Sequence, residues 1–390
     1  MRTPRQTEAV EALRTHGTTL KAAEAMGLSR AGFSGLIVNA KLTAAEKAEL
    51  YSGAALSVSR ARDPAIDGAM QAVGTGLVPA MAWIKTKATA DAPGYSVMLK
   101  PSEATPEDTA ERIRAALEGM ESAAPVVAPE SVMGDLCTVY PLMDWHLGMQ
   151  AWGRETGGPD YDLKLAADDT RHAFAKVTAL TPPSSQAILI IGGDALHAND
   201  DNAETPRSKH KLDVDGRHFR VLDVAIGLLA ETIKGLLQKH GKLLVRVLRG
   251  NHDESAHMVL TFALSERYRD EPRVTIEKNP RDLFMFQWGA CAIFSHHGDK
   301  AKPQPMALYL SDICPFWSAT RHRHLLTGHV HHDQAKDLGP LRFESLRAFC
   351  PPDSYAASMG YGGRRALQSL TFHNVDGLVL RALDPIERAA

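Results

Sequence analysis

Apolar, β-branched runs recur through the last two thirds of the chain, and each gives way abruptly to polar residues. Leu243–Leu248 reads as a buried strand, with Gly250 as the tight turn behind it, after which Asn251, His252 and Asp253 stand in a row. Thr138–Met143 ends in Asp144, Trp145 and His146, and Ala187–Ile191 ends in Gly192, Gly193 and Asp194. Cys291–Ser295 leads into His296, His297, Gly298 and Asp299, and His324–Thr327 leads into Gly328, His329, Val330, His331 and His332. Between these runs, Tyr161–Leu180 and Leu222–His240 carry the clearest helical periodicity. Past Gly339 the pattern shortens to strands at Leu341–Phe349, Ala366–His373 and Leu378–Arg381. Strand and helix alternate first and strands dominate last, which predicts an α/β domain over residues 132–390.

The preceding residues obey another pattern. Helices are expected at 4–15, 20–26 and 30–42, with Gly27–Ser29 as a turn that ends in a capping serine. Helix, glycine turn, helix is the helix-turn-helix arrangement, with Ala23, Met26, Leu28, Phe33 and Ile37 as its small core. Helix continues over Ala44–Ser52, and Val78–Lys87 with Tyr95–Lys100 reads as a hairpin suited to a wing. Thr105 supplies a capping hydroxyl and Pro106 a first-turn proline for a helix reaching Met120. Ser122–Pro129 is a proline/alanine linker. The expected division is 1–52 helix-turn-helix, 53–121 a small αβ piece, 122–131 linker and 132–390 the main domain.

Composition narrows the function classes. The net charge of −2 over 390 residues gives no global field for nucleic acid. Locally the picture differs: through Leu42, six Lys/Arg stand against three Asp/Glu. That piece is read either as a DNA-binding module or as a small helical bundle. Its candidate DNA contacts are Arg30 and Lys41, with Lys85 and Lys87 on the hairpin. The four cysteines are widely spaced and form no CxxC pair, as expected of reduced thiols in the cytoplasm. Residues 1–6 lack the apolar core of a signal peptide, and no run approaches membrane-spanning length, so no membrane partner is expected.

The compositional oddity is the 17 histidines, many of them at the strand ends. Two dications about 3.5–4 Å apart need a shared carboxylate, further ligands on each side and open positions for solvent and substrate. Asp194 suits the bridge. His146, His297, His329, His331 and Asn251 are neutral donors, and Asp144 adds another anion. This oxygen and nitrogen set fits catalytic Mn²⁺, Mg²⁺, Fe²⁺ or Zn²⁺, where a cysteine-rich set would have pointed to structural zinc.

Asp-x-His, Gly-Asp, Gly-Asn-His-Asp, His-Gly and Gly-His-x-His occur in that order, and with them the chain resembles the calcineurin-like metallophosphoesterases over roughly residues 135–375. The resemblance implies a four-layer αββα sandwich of two mixed sheets flanked by helices, with a dinuclear site at the strand ends. One ion would take Asp144, His146, Asp194 and His331. The other would take Asp194, Asn251, His297 and His329. A metal-bridging hydroxide would attack phosphorus in line, while His252 serves the leaving oxygen and Asp253 tunes His252. His297 is preferred to His296 because the family's ligand directly precedes glycine, and Mn²⁺ is the ion the resemblance favours.

Within that superfamily, Asp144–Gly148 and Gly193–His197 are similar to motifs of the nuclease subunit of double-strand-break repair complexes. That likeness adds His197 as a residue that positions DNA. The repair nucleases also carry a capping domain and an ATPase-binding segment, for which no counterpart is expected here. The layout is similar to phosphoesterases encoded by tailed phages. A basic loop with Arg207, Lys209 and Lys211 comes after the second motif and is read either as a guide for a phosphate backbone or as a balanced charged loop. Tyr355, Tyr361, Arg364 and Arg365 are read either as a grip on a strand or as a surface turn. The leading expectation is a metal-dependent DNA nuclease. The alternatives are a small-molecule phosphoesterase and a DNA-binding regulator on a non-catalytic scaffold, and homo-oligomers remain open.

Overall fold

The structure, a computed structural model, describes residues 2–16, 19–40, 77–85, 94–101, 117 and 119–386. It divides into two compact units, Met1–Glu103 and Ala104–Ala390. In the first, α1 (Pro4–His16), α2 (Thr19–Ala25) and α3 (Arg30–Asn39) enclose Val10, Leu13, Ala23, Phe33 and Ile37. Gly27 makes the turn at φ 65°, and the Ser29 hydroxyl accepts from the Gly32 N–H at 3.2 Å, as the expected cap requires. Strands β1 (Leu77–Lys85) and β2 (Gly94–Pro101) pair antiparallel. Arg30 begins α3 and Lys85 ends β1. Lys41, Lys87 and the helix expected at Ala44–Ser52 lie outside the described residues, as does nearly all of the helix expected to reach Met120.

The second unit is built on β3 (Met133–Leu142), β4 (Ser184–Ile191), β5 (Lys242–Val247) and β6 (Val274–Ile276), which pair in parallel. On the far side of β3, β12 (Leu367–His373) pairs antiparallel, and β13 (Gly377–Asp384) pairs antiparallel with β12. The second sheet runs β10-β11-β9-β8-β7, formed by Gln334–Leu338, Leu341–Ser345, His322–Thr327, Cys291–Ser295 and Phe284–Trp288 respectively.

Period-two alternation sorts the side chains into layers. Along β4, Ala187, Leu189 and Ile191 join one core with α5 (Leu163–Leu180), α6 (His218–Lys239) and α7 (Ala256–Arg267), which come after the short α4 (Gly153–Thr156). The intervening Ile188 and Ile190 face a core between the sheets, shared with Cys291, Ile293 and Leu326. The alternate residues of the second sheet, Ala292, Phe294 and Leu325, pack with Leu310 of α8 (Pro303–Ile313) on its outer face. Two mixed sheets flanked by helices is the arrangement expected from the sequence.

The linker segment is fastened at several points: the Ala123 N–H reaches the Arg267 carbonyl at 2.7 Å and the Val126 N–H reaches Glu271 at 3.3 Å. The charged run ahead of Leu325 opens β9, which starts at His322. Its His324 is half-buried against Glu344 and Phe372. Arg365, expected on a surface turn, is a buried pillar. Its guanidinium bonds Asp169 at 2.6 Å and the Phe349 carbonyl at 2.8 Å, over the ring of Tyr161.

Candidate metal centre

Parallel pairing brings the ends of β3, β4 and β5 to one edge of their sheet, so the residues after each emerge side by side. The loops are then stitched to one another. The His146 N–H donates to the Asp194 carbonyl at 2.9 Å, and the Gly328 N–H to the His297 carbonyl at 2.9 Å.

The backbone here is strained. Asp144 (φ 48°), His146 (45°), Asp194 (47°), His329 (69°) and His331 (59°) all adopt the left-handed conformation. Each such residue costs on the order of 1–3 kcal/mol without glycine's freedom, and the strain clusters where function demands a fixed geometry. Two glycines allow the acids to approach closely: a Cβ on Gly250 would strike the Asp194 carboxylate, and one on Gly328 would strike that of Asp144.

All seven candidate ligands gather in this crest. His297 Nε2 lies 3.1 Å from Asp194 Oδ2 and 3.1 Å from Asn251 Oδ1. Its Nδ1 faces the Gly192 carbonyl at 3.1 Å and must carry a proton there, so Nε2 is the ring nitrogen turned toward the acids. His331 Nε2 is 3.5 Å from Asp144 Oδ1, and His146 Nε2 is 3.8 Å from Asp194 Oδ2. The His329 N–H bonds both oxygens of Asp144, at 3.0 and 2.9 Å. Asp194, His297 and His329 form one group with atoms close enough to share an ion, and Asp144, His146 and Asp194 form another.

The electrostatics of the cluster call for cations. Burial disfavours the charged form of His297, yet Asp194 and Asp144 outweigh it and lift the imidazole to about 10. Burial likewise opposes ionisation of Asp194, but the His297 and His252 imidazoles hold it well below the usual carboxylate range. His331 behaves like His297, with Asp144 overcoming burial to raise it. Burial and the neighbouring His252 drive His146 and His197 down. The Nε2 atoms of His146 and His197 are buried without a hydrogen-bond partner. Buried carboxylates, strained loops and an orphaned imidazole nitrogen fit a pair of divalent ions, and the donor set is oxygen and nitrogen.

His252 sits at the rim of the crest. Its Nδ1 faces the His197 carbonyl at 2.8 Å, and its N–H bonds Asp194 at 2.8 Å. Asp253, expected to tune this ring, does not reach it. Its carboxylate accepts from the N–H groups of Ala195, Gly250 and Leu196, at 2.9, 2.9 and 3.3 Å, and so locks two loops together. Burial and Asp194 push it up to about 6. His197 is only 1% exposed: it stacks on His252, lies 3.1 Å from His146 Nδ1 and is not among the residues that line the cavity over the crest.

A cavity of about 570 Å³ opens over the crest, lined by His146, Asp194, Asn251, His252, His329 and His331. Its walls also include His210, Lys211, Tyr355, Tyr361 and Cys350. Tyr355 belongs to α9 (Ser354–Ser358) and lies 5.6 Å from His210, centroid to centroid. In the basic loop, Arg207 pairs with Glu254 at 2.5 Å, Lys211 pairs with Glu204 at 2.5 Å, and Lys209 is exposed. The sequence marks Cys350 only as a reduced thiol, and its place among the cavity walls depends on how the loop after β11 folds back.

No family model matches the chain, and no curated protein matches it. Among solved structures it is similar to YfcE, a phosphoesterase from E. coli, at 14% identity and TM-score 0.33, covering 63% of this chain and 98% of that one. It is also similar to Vps29 complexed with zinc from Entamoeba histolytica (12%, TM-score 0.26, 64% and 99% covered). A third is the phosphopantetheinyl hydrolase PptH from Mycobacterium tuberculosis (11%, TM-score 0.26, 55% and 91% covered). At such distances the assignment of function rests on the geometry of the site.

Proposed function

We propose that this protein is a dinuclear-metal phosphodiesterase of the calcineurin-like kind, acting on a polynucleotide, with DNA as the leading substrate. One observation carries the reading: seven ligand-type side chains, five of them on left-handed backbone, meet beneath a cavity of about 570 Å³. Asp144, His146, Asp194 and His331 would hold one ion, and Asp194, Asn251, His297 and His329 the other. Manganese is the ion proposed, with magnesium, iron(II) and zinc as alternatives on the same donors. Bound there, the ions would lower the pKa of water and neutralise phosphate charge.

The protein's own groups do the rest. His297, pinned by the Gly192 carbonyl, keeps Nε2 on the acids. His252 keeps its Nδ1 proton on the His197 carbonyl, so Nε2 is the ring nitrogen that can give a proton to the leaving oxygen as the phosphorus–oxygen bond breaks. Asp253 fixes the loops that carry Asp194 and Asn251. Tyr355, Tyr361 and His210 offer rings to bases flanking the scissile phosphate, an interaction each base can make. The net-positive three-helix unit is proposed to bring the enzyme to DNA through Arg30 and its neighbours.

A second reading, a small-molecule phosphoesterase acting on nucleotides, draws support from the pairing of Arg207 and Lys211 with glutamates, which leaves less free charge for a phosphate backbone. The deciding experiment incubates purified protein and Mn²⁺ with labelled DNA, RNA, cyclic nucleotides and monoesters. Mn²⁺-dependent shortening of DNA is expected. Turnover of a nucleotide without cleavage of any DNA would transfer the assignment to the second reading.

A further inference from the structure

Cys350 takes no part in the chemistry assigned to the crest. Its Sγ lies within 4.8 Å of one ligand atom from His146 and one from His331, so the three form a compact group of potential metal donors. The residue is 3% exposed and still lines the cavity over the crest. Its position is imposed by backbone. The Cys350 N–H donates to the Asp144 carbonyl at 3.2 Å, and the preceding Phe349 N–H donates to the Met143 carbonyl at 3.0 Å. The loop is thereby stitched along the end of β3, and Pro351 and Pro352 restrict the backbone after it.

A second observation points to a ligand at the same place. His146 is 4% exposed, and its Nε2 is buried with no hydrogen-bond partner, although the same side chain belongs to the groups formed with Asp144 and Asp194 and with His331 and Cys350. The other cysteines have different surroundings. Cys137 and Cys291 lie in the core between the sheets, Cys314 lies against α8, and none belongs to a potential metal group among the described residues.

We propose that Cys350 is a sulfur donor to the ion held on the side of Asp144, His146 and His331, an inference that rests on the metal-centre reading of the site. The two ion positions then differ in kind. The side of Asn251, His297 and His329 keeps oxygen and nitrogen donors, while the Cys350 side takes a softer ion, zinc, iron(II) or cobalt(II), in preference to manganese or magnesium. On binding, the thiol proton passes to solvent and a sulfur lone pair forms the metal–sulfur bond; nothing is oxidised or reduced.

The test uses the full chain, stripped with chelator and titrated with cobalt(II) without oxygen. The wild-type protein is expected to bind two equivalents and to develop a sulfur-to-cobalt charge-transfer band in the near ultraviolet that saturates with one. Cys350→Ser should lose that band and keep the visible bands of cobalt on imidazole and carboxylate. Its preference for zinc over manganese should fall about tenfold or more. X-ray absorption on zinc-loaded wild-type protein reads the same bond without any variant, as a sulfur neighbour at about 2.3 Å. Two bound cobalt ions with no near-ultraviolet band, or a band unchanged in Cys350→Ser, would overturn the sulfur donor and leave the metal centre standing. No cobalt binding at all would overturn both.

Discussion

Two buried polar clusters in the same unit are built on opposite principles. The first joins Thr138, Tyr140, Thr181, Ser184, His240 and Thr371, all 3% exposed or less. Its bonds can be traced from end to end. The Ser184 N–H donates to His240 Nδ1 at 3.0 Å, so His240 Nε2 carries the proton and faces the Tyr140 hydroxyl at 2.8 Å. Tyr140 gives its proton to Thr181 at 2.8 Å, and Thr181 gives its own to the Thr178 carbonyl at 2.8 Å. None of these six residues is left-handed, and none of their side chains leaves a buried polar atom without a partner. The second cluster, the crest from Asp144 to His331, has strained backbone and an imidazole nitrogen with no partner. A buried network that serves stability is saturated, since each unpaired group would cost about 1–3 kcal/mol. One built to receive ions leaves its lone pairs open.

That contrast can be broken experimentally. The largest effect is expected at the shared acid: Asp194→Asn should lower hydrolysis of a chromogenic phosphodiester by about a thousandfold or more and reduce bound metal, read by elemental analysis. Normal turnover with full metal content would show that Asp194 neither bridges the ions nor serves the reaction. Next comes His252→Ala, which should retain metal yet lose about 10²–10⁴-fold in turnover, as expected of a group acting mainly in the transition state. Metal loss in that variant would move His252 into the ligand set.

The saturated cluster should respond to acid and not to metal. Burial, with Lys239 beside it, pushes His240 down to about 4, against about 6.5 in an unfolded chain. Its contribution is therefore intact above about pH 6.5 and is lost as pH falls toward 4, with about 2 kcal/mol gone by pH 5. Urea unfolding at pH 7 and pH 5 should show that loss in the wild type and a shallower pH dependence in His240→Gln. Equal slopes would mean that the imidazole takes a proton without leaving its network. The smallest effect is expected at the cavity wall, where Tyr355→Ala or Tyr361→Ala should raise KM for an oligonucleotide by about tenfold and leave a small chromogenic diester unaffected. Equal effects on both substrates would assign these rings to shaping the cavity.

The strands that carry the site are legible in the sequence because parallel strands buried on both faces read as apolar runs, and Leu243–Leu248 and Ala187–Ile191 stand out on that ground. Edge strands are not: Gln334–Leu338 is polar and exposed, and Val274–Ile276 is short, so neither carries a strong pattern. The helix Ala256–Arg267 is hidden as well, because its start merges with the metal-loop motif before it. The charged run before Leu325 looks like surface because its partners, Glu344 and Trp317, come from other elements.

Residue types at strand ends, and the order in which they occur, are a property of the sequence. They determined that a sheet edge would carry two acids, an amide and several imidazoles. Hydrogen-bond partners between distant loops are a property of the folded chain alone. Folding set Asp253 on backbone N–H groups instead of the His252 ring, packed His197 against its neighbours and brought Cys350 against His146 across about 200 positions of sequence. The reason is physical: a one-dimensional pattern records how each residue partitions between core and water, whereas the direction of a lone pair depends on which backbone lies opposite it.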